Sequence, residues 1–153
     1  MIVYPLMIEE QAATGFTHRI RLTHEDLTEA TANTAQTIAI FTVAARDYVS
    51  DAAFNLVTPF EDASDNTYNS TTIIVGDGGS TNRYIASAQI NVNGSEILAG
   101  PGVNSSVRYA YTSSDTIDII FGSMTGKSLS EIDVGELDIY LKVNSLAAYS
   151  FSG

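Results

Sequence analysis

The run Glu136 to Val143 sets Leu137, Ile139, Leu141 and Val143 in strict alternation with Glu136, Asp138, Tyr140 and Lys142. Successive side chains of a strand point to opposite faces, so this run is a strand with one face on a core and the other toward solvent. Similar short runs, alternating or rich in β-branched residues, recur along the whole chain, and turn residues separate them. Helical periods are nearly absent. That pattern constrains the fold to a sandwich or barrel.

Eight strands are expected. Phe16 to Leu22 alternates Phe16, His18, Ile20 and Leu22 with Thr17, Arg19 and Arg21. Gln36 to Val43 and Val49 to Val57 follow, the latter ending before Pro59. Tyr68 to Val75 is the fourth, closed by Gly76-Asp77-Gly78-Gly79, where positive φ angles are expected. Arg83 to Ile90 reads as the fifth, with a short helix as the alternative. Val107 to Tyr111, Thr116 to Phe121 and Glu136 to Val143 complete the set. Thr23 followed by Asp26 resembles an N-cap pair and predicts one helical turn near residues 23–27. Thr28 to Ala35 and Glu61 to Asn66 read as loops, Asn93-Gly94 as a tight turn before Glu96-Ile97-Leu98, and Gly100-Pro101-Gly102 as a break.

Short strands in this number favour an all-β, two-sheet antiparallel β-sandwich of jelly-roll type over a wide barrel. The expected organisation is an N-terminal arm (1–15), a sandwich domain (16–144) and a C-terminal tail (145–153). The core is expected to hold Ile20, Leu22, Ile38, Ile40, Phe54, Leu56, Ile73, Val75, Ile117, Ile119, Phe121, Leu137, Ile139 and Leu141.

Of the 153 residues, 44% are hydrophobic and 16% charged, the balance of a chain that folds around a core. Seven basic residues face eighteen acidic ones, for a net charge of −11. Displacing counterions from phosphates takes Lys and Arg, so nucleic acid and anionic membranes are disfavoured as partners. The same charge repels copies of the chain at long range, so any self-assembly must rest on close apolar contacts. Without Cys there is no disulfide, thiol nucleophile or thiolate metal site. The apolar start Met1-Ile2-Val3-Tyr4-Pro5-Leu6 lacks a basic leader, and synthesis in a cytoplasm is the default expectation.

Several motifs invite a chemical reading and fail on spacing. Gly122-Ser123-Met124-Thr125-Gly126-Lys127-Ser128 has three residues between its glycines where a phosphate loop needs four, and no helix of useful length follows. Gly76-Asp77-Gly78-Gly79-Ser80 lacks the crossover helix of a dinucleotide site. The acids at Glu61-Asp62-Asp65 and Glu131-Asp133-Glu136-Asp138 do not have calcium-loop spacing. His18 and His24 lie at opposite ends of one strand, with no nucleophile elbow elsewhere. No catalytic residue, cofactor or metal is therefore expected, and the chain does not read as an enzyme. Arg19 and Arg21, flanked by the two histidines, make the one locally basic stretch. They read either as solvated or as a docking patch.

Ile20-Arg21-Leu22-Thr23-His24-Glu25-Asp26-Leu27, Thr34-Ala35-Gln36-Thr37-Ile38, Val75-Gly76-Asp77-Gly78, Glu96-Ile97-Leu98 and Gly135-Glu136-Leu137-Asp138-Ile139-Tyr140-Leu141-Lys142-Val143 together resemble small virion proteins of tailed bacteriophages, of the kind that decorate or cement the capsid. The resemblance extends from about Thr17 to Val143. It implies a β-sandwich, often a homotrimer, bound to the major capsid protein on the outer shell surface and made in the host cytoplasm. It brings no catalytic residues.

From this follow expected contact residues for shell or oligomer: Ile2, Val3, Tyr4 and Leu6 of the arm, Arg19 and Arg21 of the first strand, and Tyr149 and Phe151 of the tail. The arm either buries itself against a neighbour or folds back on its own sandwich. A different class, a carbohydrate- or receptor-binding module of a phage fibre or tail, would show solvent-exposed aromatics in a groove. A small hydrolase would show a deep pocket where acids converge with a histidine.

Overall fold

A computed structural model describes residues 1–65, 71–91 and 108–148, and the backbone of 101–103. The strands are β1 (Ile2–Pro5), β2 (His18–Thr23), β3 (Gln36–Val43), β4 (Asp47–Glu61), β5 (Thr72–Asp77), β6 (Ser80–Gln89), β7 (Pro101–Val103), β8 (Tyr109–Ala110), β9 (Asp115–Phe121) and β10 (Val134–Ser145). One α-helix, α1 (Ile8–Thr14), joins β1 to β2. Single 3-10 turns lie at His24–Asp26, Leu129–Glu131 and Leu146–Ala148.

The strands form two antiparallel sheets. The larger runs β1-β2-β10-β4-β7, with β8 also on β4; the smaller runs β3-β9-β5-β6. Strands β7 and β8 pair with successive stretches of β4, opposite Ala53–Asn55 and Tyr48–Val49, and occupy one sheet position between them. With that merger the orders are β2-β10-β4-β7/β8 and β3-β9-β5-β6, the interleaved arrangement of a jelly roll. The expected sandwich is thus the observed architecture, with β1 added at one edge.

Alternate residues of both sheets fill the space between them. Ile20, Leu22, Phe54, Phe60, Leu137, Ile139 and Leu141 project from one side; Ile40, Ile73, Val75, Ile117, Ile119 and Phe121 from the other. Phe60 and Phe121 meet across the sandwich with ring centroids 5.6 Å apart. Of the expected core only Ile38 is not buried; it is half-exposed and packs against the cluster. A bulge between Ala39 and Phe41 shifts the phase of β3, which lets Ile40 and Val43 take the inward positions.

Other departures have local causes. Strand β4 does not stop before Pro59 but continues to Glu61. Its register with β10 slips there, Thr58 facing Glu136 and Glu61 facing Val134, and a bulge is where a sheet tolerates proline. Opposite lies Gly135, with φ at +154° and the Phe60 ring over it; a Cβ at Gly135 would sit 2.4 Å from that ring. The Gly76–Gly79 turn needs no positive φ: the Asp77 carboxylate closes it by accepting the N–H groups of Gly79 (3.0 Å) and Ser80 (2.8 Å). Pro101–Val103, expected to break the chain, adds to β4 instead. The expected strand from Arg83 is present within β6, not as the alternative short helix, whereas residues 8–14, inside the expected arm, are helical. The turn at residues 23–27 is present as His24–Asp26, with Asp26 accepting the Thr23 N–H at 2.9 Å. The expected turn at Asn93-Gly94, the run Glu96–Leu98, Tyr68 and Val107 lie outside the described residues.

Candidate functional site

Exposed apolar side chains are concentrated at one corner. Of the seven large hydrophobic residues exposed among the described residues, five lie in the first eight positions: Met1, Ile2, Val3, Met7 and Ile8. They follow β1, the edge strand of the larger sheet. Its register (Ile2 opposite Arg21, Val3 opposite Ile20, Tyr4 opposite Arg19) sets Ile2 and Tyr4 on the outer face beside the two arginines. The arm is therefore laid against its own sandwich. Leu6 is buried there, with its N–H donating to the Thr17 carbonyl at 2.8 Å.

Helix α1 follows directly, and none of its seven residues is buried. A helix this short does not hold itself together in water. Local bonds support it: the Met7 N–H donates to Glu10 Oε2 (2.9 Å), and Gly15, at φ +78°, closes the C-terminus by donating to the Gln11 carbonyl (2.8 Å). What it lacks is a packed face; Ile8 is 82% and Met7 69% exposed.

The arginines are engaged within the chain rather than solvated. Arg21 forms a two-pronged bond to Asp138, Nε to Oδ1 and Nη2 to Oδ2 both at 2.8 Å, and Nη1 reaches Glu136 Oε1 at 3.0 Å. Asp138, expected on a solvent-facing side of β10, is almost fully buried under this pair. The Arg19 guanidinium lies over the Tyr4 ring, 4.8 Å from its centroid. Of the basic stretch read from the sequence, Arg21 is thus spent on the chain's own carboxylates, while Arg19 has only the Tyr4 ring beside it. Tyr149 and Phe151 lie outside the described residues.

At the Met1 end of β1 the amino terminus is ion-paired with Asp26. Next to it is an open groove of about 420 Å³ lined by Thr23, His24, Glu25, Thr58, Asp133, Val134, Gly135 and Glu136. Three carboxylates and a histidine line it, but Glu136 is bound to Arg21, and Asp133 accepts the Ala63 N–H at 2.8 Å. Among the described residues no three His, Asp or Glu side chains are grouped to hold a metal ion. His18 is at the far end of β2, its ring packed edge-on against Phe41 and bonded to Thr17 Oγ1 at 2.8 Å; burial holds its pKa below the ordinary histidine value. A second groove, of about 370 Å³, opens on the outer face between Thr14, Phe16, Ala53, Asn55 and Tyr140, with the Phe16 and Tyr140 rings 5.7 Å apart.

The loop at Gly122–Ser128 is an interstrand turn: Met124 and Lys127 form a two-residue bridge, and the helical turn after it has three residues. Lys127 is ion-paired with Asp65. No helix among the described residues is long and apolar enough to cross a membrane.

No protein-family model matches the chain, and no curated protein matches it in sequence. One solved structure does match in fold: a chain of the cyanophage Pam1 capsid asymmetric unit, with a TM-score of 0.56 at 13% identity over 84% of this chain and 81% of that one. Those near-equal shares make the two chains similar in length. At that identity the match establishes the shared fold, the jelly-roll sandwich derived above.

Proposed function

We propose that the chain is a structural protein of a tailed-phage virion that binds the outer capsid surface and stabilises the shell, as a decoration or cement protein. The observation that carries this reading is the agreement between the sequence resemblance and the fold. The jelly-roll order of this chain lies in a fold of which 84% is matched by a chain of a phage capsid asymmetric unit. The role asks for a rigid sandwich, an acidic soluble face and an apolar contact surface, without catalysis. The apolar corner at Met1–Ile8 supplies the contact surface, and the engaged acids of the groove beside it fit a non-enzymatic protein. The partner is the major capsid protein, and the chain acts as a homotrimer, many copies on one shell gaining avidity. Quantitative mass spectrometry of purified virions tests this. The expected result is a copy number in a fixed small ratio to the shell protein; absence from the virion overturns it.

A carbohydrate- or receptor-binding role is favoured by one feature, the Phe16–Tyr140 ring pair beside Asn55 on an open outer face. Aromatic faces stack on sugar rings, and an amide can both donate to and accept from hydroxyls. A glycan array read with the wild type and with Tyr140→Ala tests it; binding lost in the variant supports this reading.

A further inference from the structure

We propose that the edge strand β1, helix α1 and the acid-lined groove at His24–Glu25 form one continuous docking surface, and that its occupant is a basic, apolar segment of the shell protein rather than a second copy of this chain. The inference rests on the virion reading above and gives that contact its chemistry.

Two independent observations support it. The first is apolar: Met7 and Ile8 at one end of β1, Ile2 and Val3 on its two faces and Met1 at the other end are all exposed along this edge, and no residue of α1 is buried. A sheet edge is where neighbouring chains add. The second is electrostatic. Arg21 is neutralised by Asp138 and Glu136, which leaves Arg19, stacked on Tyr4 and ion-paired with no carboxylate among the described residues, as the positive charge on this face. The exposed acids outnumber it: Glu9 and Glu10 in α1, then Glu25 and Asp133 at the groove, where Glu136 is already shared with Arg21. The surfaces are continuous, because Met1 is ion-paired with Asp26, the neighbour of Glu25, and Ile2 lies opposite Arg21, which holds Glu136.

The sign of this surface selects the occupant. A second copy seated here through its own corner would bring the same acids against these, and like-charge juxtaposition is disfavoured. A segment with Lys or Arg beside apolar side chains satisfies both halves: the basic group enters the groove and the apolar groups cover β1 and α1. This differs in sign from the basic docking patch of Arg19 and Arg21 that the sequence offers as one reading.

The test uses the full chain and shells of the same phage from which the chain has been stripped. Two variants probe the two halves: Ile8→Ser, and Glu25→Lys at an exposed residue of the groove rim. Both leave the thermal midpoint of the free chain unchanged, which checks folding. Wild type is expected to bind shells with an affinity that falls as salt rises, and each variant to bind about tenfold or more weakly, Glu25→Lys with a shallower salt dependence. Variants that match wild type in affinity and salt dependence overturn the proposal. So does an oligomer of the free wild type that Ile8→Ser dissociates, since a second copy then covers the corner. If wild type itself binds no shell and is absent from virions, the virion reading fails, a result distinct from wild-type binding that the variants leave intact.

Discussion

Ile139 stands at the centre of the larger sheet, opposite Ile20 on one side and Phe54 on the other, and is fully buried. Truncation there leaves a cavity in a packed interior, so Ile139→Ala is expected to cost about 2–5 kcal/mol of unfolding free energy, read from a urea titration. An unchanged midpoint would mean the strand's faces are inverted. Gly135 has an even narrower tolerance. Its φ of +154° and the overlying Phe60 ring leave no room for a Cβ, so Gly135→Ala must displace the ring or the bulge. The expected cost is about 1–3 kcal/mol or more, with loss of the near-ultraviolet aromatic signal as a second readout. The alternation of Glu136–Val143 makes the role of Ile139 legible in the sequence. That of Gly135 is not, because it depends on Phe60, a residue 75 positions away.

Elements are tied together at one end of the sandwich by a polar cluster. Asp77, at the end of β5, takes Arg83 Nε at 2.6 Å and the Tyr111 hydroxyl at 2.8 Å, and Tyr111 shares a 2.6 Å hydrogen bond with Tyr84. The Arg83 guanidinium also lies 3.7 Å from the centre of the Tyr109 ring. The cluster joins the β5–β6 hairpin of the smaller sheet to the β8 segment of the larger one. Burial pushes the Asp77 carboxyl up, but the bonds from Arg83, Tyr111 and the Ser80 N–H outweigh it and hold the group below the usual carboxylate range. A carboxyl depressed on folding contributes stability above its unfolded pKa and loses it as pH falls through the folded one. The clamp therefore persists through mild acid. Tyr111→Phe removes one bond to a buried carboxylate and orphans Tyr84, for an expected loss of about 1–3 kcal/mol in denaturant titration. His18 acts in the same sense at higher pH, through burial rather than bonding. Its folded pKa is lowered by burial, so the unfolded chain takes up the proton first and stability declines as pH drops below about 6.5. The thermal midpoint is expected to fall between neutral pH and about pH 5 in the wild type, and this slope to be shallower in His18→Gln.

For the molecule as a whole, a net charge of −11 opposes association at long range, and the apolar corner is assigned above to the shell protein, so the proposed homotrimer has to close through another face. Light scattering at micromolar concentration is expected to report the proposed homotrimer; monomer alone, both free and on the shell, would overturn that assignment.

The sequence alone determined the class of fold and about half of the buried core, because a period of two is a local property: each residue's face follows from its neighbours, and thirteen of the fourteen expected core residues are buried. It also carried the short turn at residues 24–26, whose cap lies within three residues. Tertiary structure decided what depends on partners distant in sequence. Pro59 stays within a strand because β4 bulges there against β10, Pro101–Val103 becomes strand because β4 offers an edge, and β1 joins the sheet through β2. The candidate site belongs to this second group. Arg21 reads as a free cation until Asp138, 117 positions away, is brought beside it, and only then does the corner become an acidic surface with an apolar stripe. Charge is a local count, but the sign of a surface depends on which charges folding pairs off.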